Sequence, residues 1–339
     1  MCHVSQNPST QLEYIRGYQE ALASINIEET AVENEAARAS EHQQFKDHTA
    51  AFFDDVGEQA SQAFTGWGTF QFWNWGLCDD AIQKELHALL GDFDNEYSDG
   101  YSEQLYYYTL KQAPKRNNAP RRVLEVGCGN GAGLNFLSRT EGQSSFVGVD
   151  LSGRAIARAN ERFLRAGTLR YAQADAEALP FEEGSFDVVI NVESSHNYPN
   201  LGKFLAEVTR VLKPGGYFSH VDAYTTARYE AMQRYKRTPT QLSWLSEQDI
   251  SDGVRKAITM RMEPNSKVRT RLKGAMRAYR WPTSSIITTS VLNMYGRPFA
   301  NANKRSLLRM LPKRTAARYD LLSFMTSYRH SLALKVIPS

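Results

Sequence analysis

Glu125-Val-Gly-Cys-Gly-Asn-Gly131 decides how this chain reads. The apolar run Val123 to Val126 enters it and the helical pattern Leu134 to Arg139 leaves it, so the glycines sit between a strand and a helix. Glycine there lets the backbone turn tightly and approach a ligand without a Cβ clash. Read from Gly127, the loop also satisfies the dinucleotide pattern G-x-G-x-x-A, with Ala132 last. Asp150 closes the next predicted strand, Phe146 to Val149, where a carboxylate accepts both hydroxyls of a ribose. At this point a dinucleotide and another adenosine-bearing cofactor both fit.

Outward from the loop, strands and helices alternate from Arg121 to Asp222, which predicts a doubly wound parallel α/β sheet. Ser152 to Leu164 reads as a helix with Ser152 as its N-cap, followed by strands at Leu169 to Gln173 and Phe186 to Asn191. Leu201 to Leu212 carries apolar residues at helical spacing, Lys213-Pro-Gly-Gly216 breaks it, and Tyr217 to Val221 starts a fifth strand.

The material around the loop separates the two cofactors. Glu125 stands two residues before the first glycine of a tight G-x-G-x-G, and Asp175-Ala176-Glu177 follows the third strand. Leu179-Pro-Phe181, Gly184-Ser-Phe-Asp-Val-Val189 and Leu212-Lys-Pro-Gly-Gly216 come after it in order. This series resembles class I S-adenosylmethionine (SAM) dependent methyltransferases over Arg121 to Asp222. The resemblance implies a Rossmann-like sheet and SAM as cofactor. It also implies a binding set of Glu125, Gly127, Gly129, Gly131, Asp150, Leu151, Asp175, Ala176 and Asn191. SAM has no pyrophosphate, so the helix N-terminus faces its methionine end. Cys128 reads as a small residue in a crowded loop.

The fourth strand delivers Asn191-Val-Glu-Ser-Ser-His196 to the sheet edge where open α/β folds bind ligands. Methyl transfer requires a positioned acceptor and the management of one proton. His196 suits removal of a hydroxyl proton, because its pKa lies near working pH. Glu193 suits stabilising or deprotonating a cation, so both are candidate catalytic residues. Residues 191–218, NVESSHNYPNLGKFLAEVTRVLKPGGYF, resemble phthiotriol dimycocerosate O-methyltransferases, which act on a long lipid. Glu193-Ser-Ser195 separately resembles the acidic motif of terpenoid and sterol C-methyltransferases. The expectation is O-methylation of a hydrophobic, lipid-like acceptor in specialised metabolism. C-methylation of a prenyl or polyketide carbon, or a non-methylating role on the same fold, is the alternative.

The flanks divide the chain into a helical N-terminal lid region (1–118), the SAM-binding core (119–222) and a helical substrate cap with closing strands (223–339). The N-terminal part has a predicted helix at Gln11 to Ile25 and an aromatic group of Trp67, Trp73, Trp75 and Tyr106 to Tyr108. Trp75 is the member expected at the site, where rings stabilise a sulfonium. Gln248 to Arg261 and Lys267 to Tyr279 read as cap helices, and Ser284 to Val291 and Ser331 to Ile337 as strands. The first helix is a candidate for docking on a second copy.

Charge is split: from Arg228 onward 22 Lys and Arg face 6 Asp and Glu, within a net charge of +3 for the whole chain. The basic residues are dispersed, so two parts of one molecule meeting each other is the preferred reading and no nucleic-acid partner is expected. Arg228, Arg234, Lys236 and Arg237 follow the fifth strand, where a pocket-lining position would suit an anionic acceptor. A hydrophobic content of 42% supplies a packed core, and no run is long enough for a transmembrane segment. The 3 cysteines lack metal or disulfide spacing, which predicts a cytoplasmic setting without a metal.

Overall fold

The computed structural model describes residues 35–63, 72, 74–93, 98–115, 117, 119–267, 270 and 326–337. The helix predicted at Gln11 to Ile25, Trp67, Trp73, the strand at Ser284 to Val291 and most of the helix at Lys267 to Tyr279 lie outside these residues.

Among the described residues, three helices precede the sheet: α1 (Glu35–Ala63), α2 (Asp80–Leu90) and α3 (Tyr101–Lys111). Strand β1 (Arg122–Val126), α4 (Ala132–Thr140), β2 (Ser145–Asp150), α5 (Gly153–Phe163) and β3 (Leu169–Gln173) build one half. Strand β4 (Phe186–Val192), α6 (Leu201–Val211) and β5 (Leu212–Tyr224) build the other. Then come α7 (Thr226–Arg237), β6 (Leu242–Asp249), α8 (Ser251–Met262) and β7 (Ser327–Lys335). The sheet runs β3-β2-β1-β4-β5-β7-β6. Strands β1 to β5 are parallel, and β7 pairs antiparallel with both β5 and β6. This is a Rossmann-like sheet, as the glycine-loop resemblance implies.

Period-2 alternation splits the core. Val123, Phe146, Ile190, Val221 and Tyr328 face α2, α3, α4 and α8, packing on Leu86, Leu105, Phe136 and Ile258. Leu124, Val147, Val189 and Phe218 face the other way onto Leu201, Phe204, Val208 and Met232 of α6 and α7. Each fully buried Leu or Phe contributes roughly 1.5–3 kcal/mol. Ser152 caps α5 as its sequence predicts, its Oγ accepting from the Ala155 amide at 3.0 Å.

The segment after β5 is not purely helical. Leu242–Asp249 is a strand, so the helix predicted from Gln248 starts at Ser251. Its polar composition hides the alternation: only Leu242 and Trp244 pack on the core, and pairing with β7 supplies the order. The closing strand begins at Ser327, four residues before its predicted start.

Strand order reverses between β1 and β4, which leaves a crevice at their carboxyl ends. The candidate site lies there.

Candidate functional site

Gly127 and Gly131 both have φ of +77°, which favours glycine. A Cβ on Gly127 would collide with Ser194 Oγ, and one on Gly131 would stand 2.6 Å from the Tyr171 ring. The turn is tied to β2 because Gly127 N and Cys128 N both donate to Val149 O, at 2.8 and 2.9 Å. Helix α4 then starts at Gly131 with no side-chain cap, so its first amides have no side-chain acceptor.

Two carboxylates flank the turn. Asp150 accepts from Gly129 N at 2.8 Å and from Ser152 N at 2.9 Å, which orients its oxygens at the end of β2. Burial raises its pKa. Glu125 is fully buried and accepts from Tyr106 Oη at 2.8 Å through Oε1, while its Oε2 has no partner. Desolvation pushes its pKa up to about 8. Asn191 is equally buried: its Nδ2 donates to Val126 O at 2.8 Å and its Oδ1 is orphaned. Two orphaned buried acceptors on the strands that flank the glycine turn are unusual, since buried polar groups are ordinarily paired. They fit a ligand carrying both an ammonium and a carboxylate, as an amino acid does.

Further along the edge, Asp175 and Glu177 each accept from Lys46 Nζ of α1 at 2.7 Å. Asp175 Oδ1 also accepts from Glu177 N at 2.9 Å. Leu151 O accepts from Gln173 Nε2 at 3.0 Å, and Ala176 packs partly buried against the α6 face of the core.

The two candidate catalytic residues stand past β4. Glu193 has φ of +50°, an uncommon conformation for a side-chain-bearing residue, and it swings the chain into the short turn Ser195–Asn197. Its Oε2 accepts from Trp75 N at 2.8 Å and from Tyr328 Oη at 2.5 Å. Desolvation pushes the Glu193 pKa up to about 7. The His196 Nδ1 bonds to Asp222 Oδ1 at 2.7 Å, and its backbone amide donates to Asp222 Oδ2 at 2.9 Å. Burial alone would lower the imidazole pKa, but the Asp222 charge outweighs it and the pKa is raised. For Asp222 burial opposes ionisation and His196 outweighs it, holding the pKa down to about 2. The His196 side chain keeps 21% exposure. Its Nε2 accepts from Asn197 Nδ2 at 3.0 Å, so a reactant that uses this nitrogen must displace that amide.

Behind the pair runs a buried chain. Ser195 Oγ donates to Asp222 Oδ2 at 2.6 Å and meets His220 Nε2 at 2.8 Å, while Tyr224 Oη lies 3.2 Å from His220 Nδ1. Burial lowers the His220 pKa to about 4, so the ring is neutral. One consistent proton order follows: Tyr224 donates to His220, His220 to Ser195, and Ser195 to Asp222.

The structure brings Glu193, His196 and Trp75 together beside the glycine loop. The basic residues after β5 are used elsewhere. Arg228 is buried and donates to Ser195 O and Tyr198 O, both at 2.7 Å, so it braces the turn. Lys236 pairs with Glu247, and Arg234 and Arg237 are exposed. Sequence reasoning missed Asp222, Ser195, Tyr328, Lys46 and Arg261. Asp222 had a signal, since it nears the end of β5 as Asp150 ends β2. Arg261 of α8 clamps the Trp75 segment, donating to Asn74 O at 3.1 Å and Trp75 O at 2.8 Å while pairing with Asp99 at 2.7 Å. Among the described residues, no group of three or more His, Cys, Asp or Glu could hold a metal ion. No described helix is long and apolar enough to cross a membrane.

The chain is similar to known proteins in sequence over its central part and in fold. Residues 124–220 match the family described as a methyltransferase domain. A fatty-acid O-methyltransferase of Mycolicibacterium smegmatis is 49% identical over 36% of this chain and 43% of its own length. The phthiotriol/phenolphthiotriol dimycocerosates methyltransferase of Mycobacterium tuberculosis is 41% identical over 45% of this chain and 55% of its own. The chain thus spans about half the length of these curated relatives. Among solved structures, geranyl diphosphate C-methyltransferase from Streptomyces coelicolor A3(2) superposes with a TM-score of 0.54 at 17% identity. That match covers 86% of this chain and 98% of the other. The cyclase SpnF superposes with a TM-score of 0.55 at 16% identity, covering 86% and 96%. These structural likenesses are likenesses of fold.

Proposed function

We propose that this chain is a SAM-dependent methyltransferase that methylates an oxygen of a hydrophobic, lipid-like small molecule, with His196 as general base. The observation that carries the reading is the His196–Asp222 pair at 2.7 Å, set at the sheet edge beside the glycine turn. Glu125, Asn191 and the first amides of α4 would hold the amino-acid end of SAM. Asp150 with Leu151 would hold its ribose, and Asp175 with Ala176 its adenine. Bound SAM supplies a methyl group made electrophilic by a sulfonium.

The chain's own part is proton handling. As the oxygen of a hydroxyl acceptor forms its bond to carbon, its O–H bond breaks and the proton passes to His196 Nε2. Asp222 fixes the tautomer through Nδ1 and stabilises the imidazolium. The Trp75 backbone amide is fixed on Glu193 and its ring packs 6.2 Å from that of Tyr328, where it helps exclude water from the site. An acceptor of fatty-acid or hydroxylated-lipid type accords with the two curated relatives, and a cytoplasmic setting accords with Cys78 and Cys128 as free thiols.

A second reading has its own observation. Both hydrogen bonds to Glu193 end on Oε2, so the other oxygen is left to accept a proton from carbon or to face a cation. That arrangement suits C-methylation. The test is methyl transfer from labelled SAM to fatty acids, hydroxylated lipids and prenyl diphosphates. His196→Asn should lower methylation of a hydroxyl acceptor by at least about 100-fold with unchanged affinity for S-adenosylhomocysteine, whereas a fatty acid, ionised near neutral pH, gives His196 no proton to take. Full activity in that variant, or no binding of S-adenosylhomocysteine by the wild type, overturns the proposal. Loss confined to Glu193→Gln on a prenyl acceptor favours C-methylation.

A further inference from the structure

Helix α1 crosses the same edge of the sheet and is tied down at two places. Lys46 pairs with Asp175 and Glu177 after β3, and its side chain is only 13% exposed there. Asp54 accepts from Ser152 Oγ, the N-cap of α5, just after Asp150. Eight residues of helix separate the anchors, about 12 Å. The helix therefore runs from the carboxylate at the end of β3 to the one at the end of β2. Its inward stripe is His42, Phe45, Lys46, Thr49 and Phe53, at the i, i+3, i+4 spacing of one face, with Phe45 and Thr49 its buried members. Thr49 lies between the anchors on that stripe. It is 7% exposed, and its Oγ1 is buried without a hydrogen-bond partner. A buried hydroxyl with nothing to bond is costly, and a helical threonine ordinarily finds the carbonyl one turn back.

Resting on the function proposed above, we infer that α1 is the fourth wall of the nucleoside half of the cofactor site and that Thr49 is a nucleoside-contacting residue. Its hydroxyl bonds to the adenosine when the cofactor is present. Lys46 is a positioning residue: it holds both α1 and the Asp175 carboxylate in place. The orphaned hydroxyl is then the counterpart, on the nucleoside side, of the orphaned Glu125 and Asn191 oxygens on the amino-acid side.

The experiment uses the full chain and two probes, S-adenosylhomocysteine and 5′-methylthioadenosine, the second lacking the amino-acid end. Thr49→Val keeps shape and removes the hydroxyl, and Thr49→Ser keeps the hydroxyl. Thr49→Val should weaken both probes about fivefold to tenfold, the worth of one hydrogen bond, while raising the melting temperature of the ligand-free protein. Thr49→Ser should bind both probes within about twofold of wild type, since the bond it keeps is the one at issue. Lys46→Met should weaken 5′-methylthioadenosine as strongly as S-adenosylhomocysteine. If the wild type binds the probes and Thr49→Val binds them equally well, the inference is wrong. If the wild type binds neither, the cofactor assignment itself fails. A loss for Thr49→Val restricted to S-adenosylhomocysteine would move the contact to the amino-acid end and also overturn it.

Discussion

Asp222→Asn is the perturbation that separates a working base from an incidental histidine. The replacement keeps the shape of a buried side chain but removes the charge facing His196 Nδ1 at 2.7 Å. It also weakens what Ser195 Oγ and the His196 amide donate to, at 2.6 and 2.9 Å. A hydrogen bond to a charged group is worth about 1.5–3 kcal/mol. If that interaction strengthens as His196 takes the proton, kcat/KM falls by roughly 10-fold to 200-fold. The direction in pH is also determined. Wild-type His196 has its pKa raised by Asp222, so a rate that needs the neutral ring climbs at a pH above the ordinary histidine value. In the variant burial dominates, and the inflection moves to lower pH although the plateau is reduced. Stability shifts as well. Asp222 is held down to about 2 in the fold, so it stabilises above the ordinary carboxylate pKa. That contribution is lost as pH falls through about 2, and it amounts to roughly 2–3 kcal/mol at neutral pH. The assay is a pH–rate profile for methyl transfer with S-adenosylhomocysteine affinity as control. A variant with wild-type turnover and an unmoved inflection would refute the reasoning.

Glu125 predicts proton-linked binding. Its carboxyl is protonated below about 8, and an incoming ammonium favours the ionised form. Binding at pH 7 should release close to one proton and tighten toward tenfold per pH unit below 8, read by calorimetry in buffers of different ionisation enthalpy. The folded protein holds this proton while the unfolded chain gives it up, so stability falls as pH rises above the ordinary glutamate range. Glu125→Gln should therefore raise ligand-free stability at pH 7 by up to about 3 kcal/mol while weakening binding. A destabilised variant that binds normally would contradict both. Arg261→Met strands Asp99, which is 11% exposed, and should cost about 3–5 kcal/mol in urea unfolding. An unmoved midpoint would show that the clamp on Trp75 is dispensable. Gly131→Ala must place a Cβ 2.6 Å from Tyr171 at positive φ. The strain is about 1–2 kcal/mol before any clash, and an unchanged melting temperature would argue against this turn geometry.

The core of the fold was legible because its signals are local. A strand must end before Gly127 and a helix must start after Gly131, and both show in a dozen residues of pattern. Glu193 and His196 could be named for the same reason, since a strand end displays its next residues at the ligand edge whatever surrounds it. Strand β6 was not legible, because its polar residues become ordered only by pairing with β7 from the far end of the chain. The partners of the site residues were hidden in the same way. Tyr328 reaches Glu193 from 135 residues away, and Lys46 reaches Asp175 from 129. Pattern along the chain was enough for the layer order, the glycine turn and which chemistry-bearing residues reach the edge. The partners that tune those residues came only with packing in three dimensions. Nδ1 of His196 meets a carboxylate only because β5 lies beside β4, and a pKa is set by charge and burial in space rather than by neighbours along the chain.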